Sequence, residues 1–152
     1  MKLLEYMGRE LLVKNSIPIP AGFTIDKLDD LKNIQGINYP VVVKAQVQVG
    51  GRGKAGGVKI ASNFSELKTI CREMLYSTLK GLKVNRLLIV EKIEPINEYY
   101  LSIVLDRFHK VPMIIFSSEG GIDIEETARN NSDKVVKIPI NPFSDIPKYI
   151  VD

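Results

Sequence analysis

The residues best suited to chemistry lie in "KAQVQVGGRGKAGGVK", Lys44 to Lys59, where glycines are interleaved with Arg52 and Lys54 behind an apolar run. Glycine lets backbone N–H groups approach a phosphate oxygen closely, and Arg and Lys add charge-assisted donors. The chemistry that fits is the holding of a nucleoside triphosphate. Gly51, Gly53 and Gly56 satisfy G-x-G-x-x-G, but a dinucleotide-binding turn needs a helix immediately after it. Here Gly57-Val58-Lys59-Ile60 favours a strand and the next helix cap waits until Asn63, so no helix N-terminus receives a pyrophosphate. A Walker A loop fails because Ala55 follows Gly53-Lys54 where a Ser or Thr hydroxyl is required. Strand, glycine loop, strand is what remains: a flexible flap over phosphates or, in the bland alternative, a solvated hairpin turn with incidental charges.

Lys44 bears on that choice. It sits inside "VVVKAQV", which reads as a buried strand, and an unpaired ammonium there costs several kcal/mol, so an anionic partner is the economical explanation and a snorkelling side chain the alternative. Downstream, Glu91, Glu94 and Glu98 run beside Lys92; by themselves such charges are a solvated face. Glu119-Gly120-Gly121 ends a strand pattern at a turn that needs glycine, either shaping a cleft or purely structural. The single histidine, His109, lies in the polar turn "DRFHK" and is expected to face solvent. The single cysteine, Cys71, falls on the apolar side of a helical pattern and is expected in the core, with no chemistry assigned.

The elements that must position these residues follow from period and punctuation. Leu3, Leu4, Met7, Leu11 and Leu12 are spaced as one helix face that stops before the prolines of "SIPIPAG". "GFTI" reads as a strand, Asp26 and Asp29 as the cap of a short helix ending near Gly36, and "GVKIA" as a strand after the loop. Asn63 with Glu66 makes a capping-box start for a helix carrying Phe64, Leu67, Ile70, Cys71, Met74 and Leu75, closed by Gly81. "RLLIVEK", "YYLSIVLD" and "VPMIIFSS" read as strands, the last two as a hairpin. "IDIEETARN" is a weak short helix, "KVVKIPI" a last strand and "NPFSDIPKY" a proline-broken tail.

A chain of 152 residues, 45% hydrophobic, is about one domain with enough apolar material for a core. Its net charge of +3 is far from the dense excess of nonspecific nucleic-acid binders. RNA binding also calls for aromatics interleaved with a basic surface, whereas the aromatics here sit in apolar strand and helix patterns. No apolar run approaches a membrane span, and "MKLLEYMGRELL" carries Glu5, Arg9 and Glu10 where a signal peptide is unbroken and apolar. With one cysteine, the chain reads as cytoplasmic, with no nucleic-acid or membrane partner.

"EYMGRELLVKNSIPIPAG", "VVVKAQVQVGGRGKAGGVK", "LIVEKIEPINEYYLSIVLDR" and "SSEGGIDIEE" together resemble the N-terminal part of a succinyl-CoA synthetase (succinate–CoA ligase) β subunit, across nearly the whole chain. The resemblance implies an α/β (α+β) ATP-grasp fold, incomplete, with mixed sheets and flanking helices. It implies a subdomain at 21–95 carrying the glycine loop, and the start of a second at 1–20 and 96–152. A C-terminal CoA-ligase domain is expected to lie outside this chain. It further implies that Lys44 contacts nucleotide phosphates, that Gly51, Arg52 and Gly53 form the covering loop, that Glu91 and Glu94 lie at the hinge beside the base, read mainly by backbone groups, and that Glu98 accepts hydrogen bonds from ribose hydroxyls. The family couples ATP or GTP to thioester formation between succinate and coenzyme A through a phosphohistidine on the partner α subunit, so His109 is not the nucleophile. Its Mg2+ ligands are expected outside this chain, and the chain alone is expected to be inactive and open to self-association. Related ADP-forming acyl-CoA or malate–CoA ligases, other ATP-grasp ligases, and a non-enzymatic nucleotide- or RNA-binding domain are the alternatives.

Overall fold

The computed structural model describes residues 3–120 and 134–148, divided into two compact units, Met1–Glu94 and Pro95–Asp152. The first contains α1 (Glu5–Lys14), β1 (Gly22–Ile25), a 3-10 helix (Leu28–Asn33), β2 (Val41–Ala45), β3 (Val58–Ala61) and α2 (Phe64–Met74). After them come the short pair β4 (Thr78–Leu79) and β5 (Leu82–Lys83), then β6 (Leu87–Glu91). The second contains β7 (Tyr100–Asp106), β8 (Val111–Ser117) and β9 (Val135–Pro139).

The main sheet of the first unit runs in the order β1-β6-β2-β3. Mixed sheets were anticipated, yet every described pairing is antiparallel. The reason is that each crossover skips one position. β1 leads through the 3-10 helix to β2, and β3 leads through α2 to β6, so strands running the same way are always separated by one running the other way. Val41, Val43 and Ala45 of β2 are at most 1% exposed and join Leu67, Cys71 and Met74 of α2 in one core with Ala61, Leu87 and Ile89. These residues alternate by two on the strands and by three and four on the helix. Cys71 is in the core as expected, and burial pushes its thiol up to about 12, so it stays protonated and inert at neutral pH.

The capping signal also reads through. Asn63 Oδ1 accepts from Glu66 N–H at 3.0 Å, and Glu66 reaches back to Ser62 N–H at 2.8 Å, one residue earlier than the reciprocal pattern. Two local expectations are corrected. The 3-10 helix is capped by Asp30, whose Oδ2 accepts from Asp26 and Lys27 N–H, because Asp26 is paired with Arg86 and Asp29 with Lys32. α2 ends at Met74 rather than near Gly81, because Leu75 is already extended and Tyr76 has positive φ; Gly81 instead turns the β4–β5 hairpin.

α1 lies on the other side of the sheet. With β1 and Leu88 it walls a groove of about 400 Å³. None of its residues is buried, and Leu11, Leu12 and Val13 stay 39–56% exposed. α1 falls in the same compact unit as residues 21–94 and meets Lys44 of β2 and the adjacent Gln46.

In the second unit β7, β8 and β9 form an antiparallel sheet, and the expected hairpin turns at "DRFHK". Asp106 organises that turn by accepting from Phe108 N–H at 2.8 Å and pairing with His109 Nδ1 at 2.7 Å, leaving His109 exposed. "IDIEETARN" lies outside the described residues.

The core and the cap carry separable free energies. Leu67→Ala should cost about 2–5 kcal/mol and Asn63→Ala about 1 kcal/mol in urea unfolding. Equal losses for the two variants would move the core of this unit away from Leu67.

Candidate functional site

β2 and β3 are the legs of the hairpin that carries the glycine loop, with Val43 opposite Lys59 and Lys44 opposite Val58. Strand, loop, strand is the observed order, and the next helix begins only at Phe64. Ala45 N–H donates to Gly57 O at 2.8 Å and closes the base. Beyond it the chain folds on itself: Gly57 and Ala55 N–H donate to Arg52 O, Gly56 N–H donates to Gly53 O, and Lys80 Nζ donates to Gly50 O. The flap is thus a compact run of turns in which loop N–H groups engage the carbonyls of Gly51, Arg52 and Gly53, and Lys80 engages that of Gly50.

Three glycines there are set by geometry, Gly56 by its φ of +77°. Gly51 has φ +64°, strained for any side chain, and a Cβ on Gly57 would stand 2.5 Å from Leu79 Cδ2. Gly53 differs, since nothing lies within 4 Å of where its Cβ would be and its φ is outside the left-handed region.

Lys44 projects from the face of β2 opposite the core, and its ammonium meets Glu5 Oε1 at 2.8 Å. Arg52 Nη2 meets the other oxygen of the same carboxylate at 2.7 Å, while Nη1 donates to Ala45 O at 2.8 Å. The premise of an unpaired cation in the strand is therefore corrected: α1 supplies the anion, and Lys44 is 29% exposed at the sheet surface. Gln46, only 5% exposed, secures the arrangement. Its Oε1 accepts from Tyr6 N–H and its Nε2 donates to Lys44 O, both at 3.1 Å, tying the first turn of α1 to the end of β2.

An ammonium has three donors and a guanidinium five, so these contacts leave donors on both cations for a further anion. Beside them opens a cleft of about 440 Å³, with Leu4, Glu5, Val49, Gly50 and Arg52 among its walls, a size within the range of small-molecule sites. Burial alone raises the Glu5 carboxyl, but the hydrogen bonds and charges of Lys44 and Arg52 together outweigh it and hold Glu5 below its ordinary value.

Glu91 and Glu94, the carboxylates expected at a hinge, lie toward the end of the first unit. Glu91 ends β6 opposite Val41, three residues along the strand from Leu88, the register partner of Lys44, or about 10 Å at the usual strand rise. Its Oε1 accepts from Asn38 N–H and Nδ2, and the N–H groups of Glu91 and Lys92 donate to Ala21 O and Pro40 O. Those backbone donors are engaged. Glu94 is exposed beside Lys92 Nζ at 2.8 Å, a hydrogen bond that holds its carboxyl below the usual range. Glu98 belongs to the second unit, where its carbonyl accepts from Gly120 N–H and a Cβ on Gly120 would fall 2.7 Å from Glu98 Cβ. Gly121 lies outside the described residues. Lys44, Gly51, Arg52 and Gly53 are brought together, Glu91 stands at the far end of the same sheet, and Glu94 closes the unit.

A four-stranded sheet whose glycine-loop hairpin sets Gly50 and Arg52 on the wall of an open cleft, in a chain whose second unit is an antiparallel sheet of its own, defines an α/β class of fold. A family model described as the ATP-grasp domain matches residues 2–152, and the chain belongs to that family. Succinate–CoA ligase (ADP-forming) subunit beta of Methanocaldococcus jannaschii is 46% identical over 150 residues, covering 99% of this chain and 41% of the relative. The protein of the same name from Chloroflexus aurantiacus is 46% identical over 143 residues, covering 93% and 38%. The chain thus spans about two fifths of the length of these curated relatives. Among solved structures, acetyl-coenzyme A synthetase 1 of Ca. Korarchaeum cryptofilum, in complex with coenzyme A, acetyl-coenzyme A and a phosphorylated phosphohistidine segment, is similar in fold. Its TM-score is 0.67 at 22% identity, over 93% of this chain and 60% of that one. A crystal structure from Pyrococcus horikoshii gives a TM-score of 0.64 at 22% identity, with 93% and 60% covered.

Glu5 and Gln46 are the residues that sequence reasoning missed. Glu5 pairs with a partner 39 positions away, beyond any local spacing rule; the one available signal is that a lysine inside an apolar strand requires an anion, and an acidic residue opens the first helix.

Because its native pKa is depressed, Glu5 contributes stability above its ordinary value of 4.5 that is lost as pH falls through the lowered native value. Glu5→Gln should therefore cost about 1.5–3 kcal/mol at neutral pH, the range for hydrogen bonds to charged groups, and progressively less in acid. A gap in urea midpoint that stays constant from neutral pH to well below 4.5 would contradict the ion cluster.

Proposed function

We propose that this chain is the nucleotide-holding part of a succinate–CoA ligase β subunit. Its partner is an α subunit whose histidine carries the phosphoryl group, in a cytoplasmic enzyme of the tricarboxylic acid cycle. The observation that carries the reading is the convergence of Lys44 and Arg52 on one carboxylate at the glycine loop, in a chain 46% identical over 99% of its length to a relative of that name. Phosphoryl transfer depends mainly on positioning and on cations at the developing charge. Lys44 and Arg52 supply those cations to ATP or GTP phosphates, and the turns at Gly51 and Gly53 bring backbone close to the same oxygens. The Glu91–Glu94 stretch flanks the base, and Glu98 accepts hydrogen bonds from the ribose hydroxyls. Succinate and coenzyme A are substrates of the whole complex.

Magnesium is implied by the fold family. Among the described residues no group of three or more His, Cys, Asp or Glu is placed to hold a metal, so the residues present do not fit it. No helix among the described residues is long and apolar enough to cross a membrane. The fold shared with an acetyl-coenzyme A synthetase favours one second reading, a related ADP-forming acyl-CoA ligase, and the acid that is thioesterified separates the two.

Lys44→Met should weaken ATP binding by about 1.5–3 kcal/mol in titration calorimetry, and an unchanged affinity would remove Lys44 from the site. Gly53→Val is the cleaner probe of the loop, because its Cβ meets open space. Its urea midpoint should match the parent while ATP affinity falls; undiminished affinity takes the loop tip out of phosphate binding.

A further inference from the structure

The Glu5 carboxylate presents a difficulty for a phosphate site, because an anion between the two cations offsets part of the charge that would attract a nucleotide. Simple charge counting makes Glu5 a competitor. The geometry argues otherwise.

A carboxylate that yields to phosphate must be able to leave, and Glu5 is tethered. It sits in the first turn of α1, and the adjacent Tyr6 N–H is anchored by the buried Gln46 side chain to the strand that carries Lys44. Arg52, in turn, is held at two points, by Glu5 Oε2 and by Ala45 O. Lys44 and Arg52 each lie within 2.8 Å of one carboxylate, so without it two like charges sharing a small site repel and their long side chains disperse.

We propose that Glu5 is a positioning residue, a fixed anion that holds the Lys44 ammonium and the Arg52 guanidinium side by side so that a phosphate chain meets a preset pair of donors. The inference rests on the nucleotide-phosphate reading of this site. It departs from that reading in one respect: removing a negative charge next to the phosphates weakens their binding rather than strengthening it. Preorganisation outweighs local net charge, since ordering two flexible cations at the moment of binding costs affinity.

The test is an NMR titration of the 152-residue chain with inorganic triphosphate and with ATP into the millimolar range, on the parent, Glu5→Gln, Glu5→Asp, Lys44→Met and the control Lys59→Met. Lys59 pairs with Glu73 away from the loop. The expected result is a loss of about tenfold in affinity for Glu5→Gln, equivalent to about 1.4 kcal/mol, with part of it recovered in Glu5→Asp and none lost in Lys59→Met. The Arg52 guanidinium N–H signals provide a second readout without ligand: they should be protected from solvent exchange in the parent and in Glu5→Asp, and lose that protection in Glu5→Gln while the remaining amide spectrum stays folded. If Glu5→Gln binds triphosphate as well as or better than the parent while Lys44→Met binds weakly, the positioning role is overturned and the phosphate site stands. If the parent shows no binding, or Lys44→Met binds as the parent does, the nucleotide-phosphate reading falls and the inference falls with it. Glu5→Gln variants that keep Arg52 protected also overturn it.

Discussion

Side chains along a strand must alternate between its two faces, and in β2 this constraint holds the first unit together. Val41, Val43 and Ala45 go inward to α2, so Lys44 cannot. It is delivered instead to the face where α1 lies, within reach of Glu5. A slip of one residue in register would send Lys44 into the hydrocarbon core and Val43 to the surface. The strand that builds the core therefore also aims the cation, and neither can be changed without the other.

Tight turns complete the arrangement where side chains do not reach. The glycine loop is held by its own backbone bonds and by Gly57, sealed beneath Leu79, while Gly53 at its tip has open space where a side chain would stand and no positive φ to strain one. Arg52, between these glycines, points back to the strand end and not outward. The polar part of the unit is thus braced from below, by α1, and open above the loop tip.

Much of this could be read in the chain, and the rest resisted for physical reasons. Periods of two and of three to four placed β1, β2, β3, α2 and the β7–β8 hairpin, because each depends on neighbours close in sequence, and the same holds for the Asn63–Glu66 cap. The Glu5 pairing was not legible, since it joins a helix start to a strand 39 residues later and spacing carries no information over that distance. The Gly81 turn was misread because a helix can end on a non-glycine residue, here Leu75, when the next residue tolerates positive φ. Leu3, Leu4, Met7, Leu11 and Leu12 read as one helix face, and Leu11 and Leu12 on it remain 48% and 39% exposed; periodicity reports that a face is apolar, not what lies against it.

Cys71 is the only cysteine in the chain, it is wholly inaccessible, and its thiol titrates far above neutrality at about 12. These properties together make it an internal clock for opening of the α2 core. A thiol reagent in solution can modify the protein only in the moments when α2 lifts from the sheet, so the rate of modification measures the free energy of that opening when closing outpaces the reagent, and the opening rate itself when it does not. With no second thiol to contribute background, a single optical trace separates the breathing of the first unit from events in the second, and any nucleotide that stiffens β2 and β3 should be heard as a slowing of that clock.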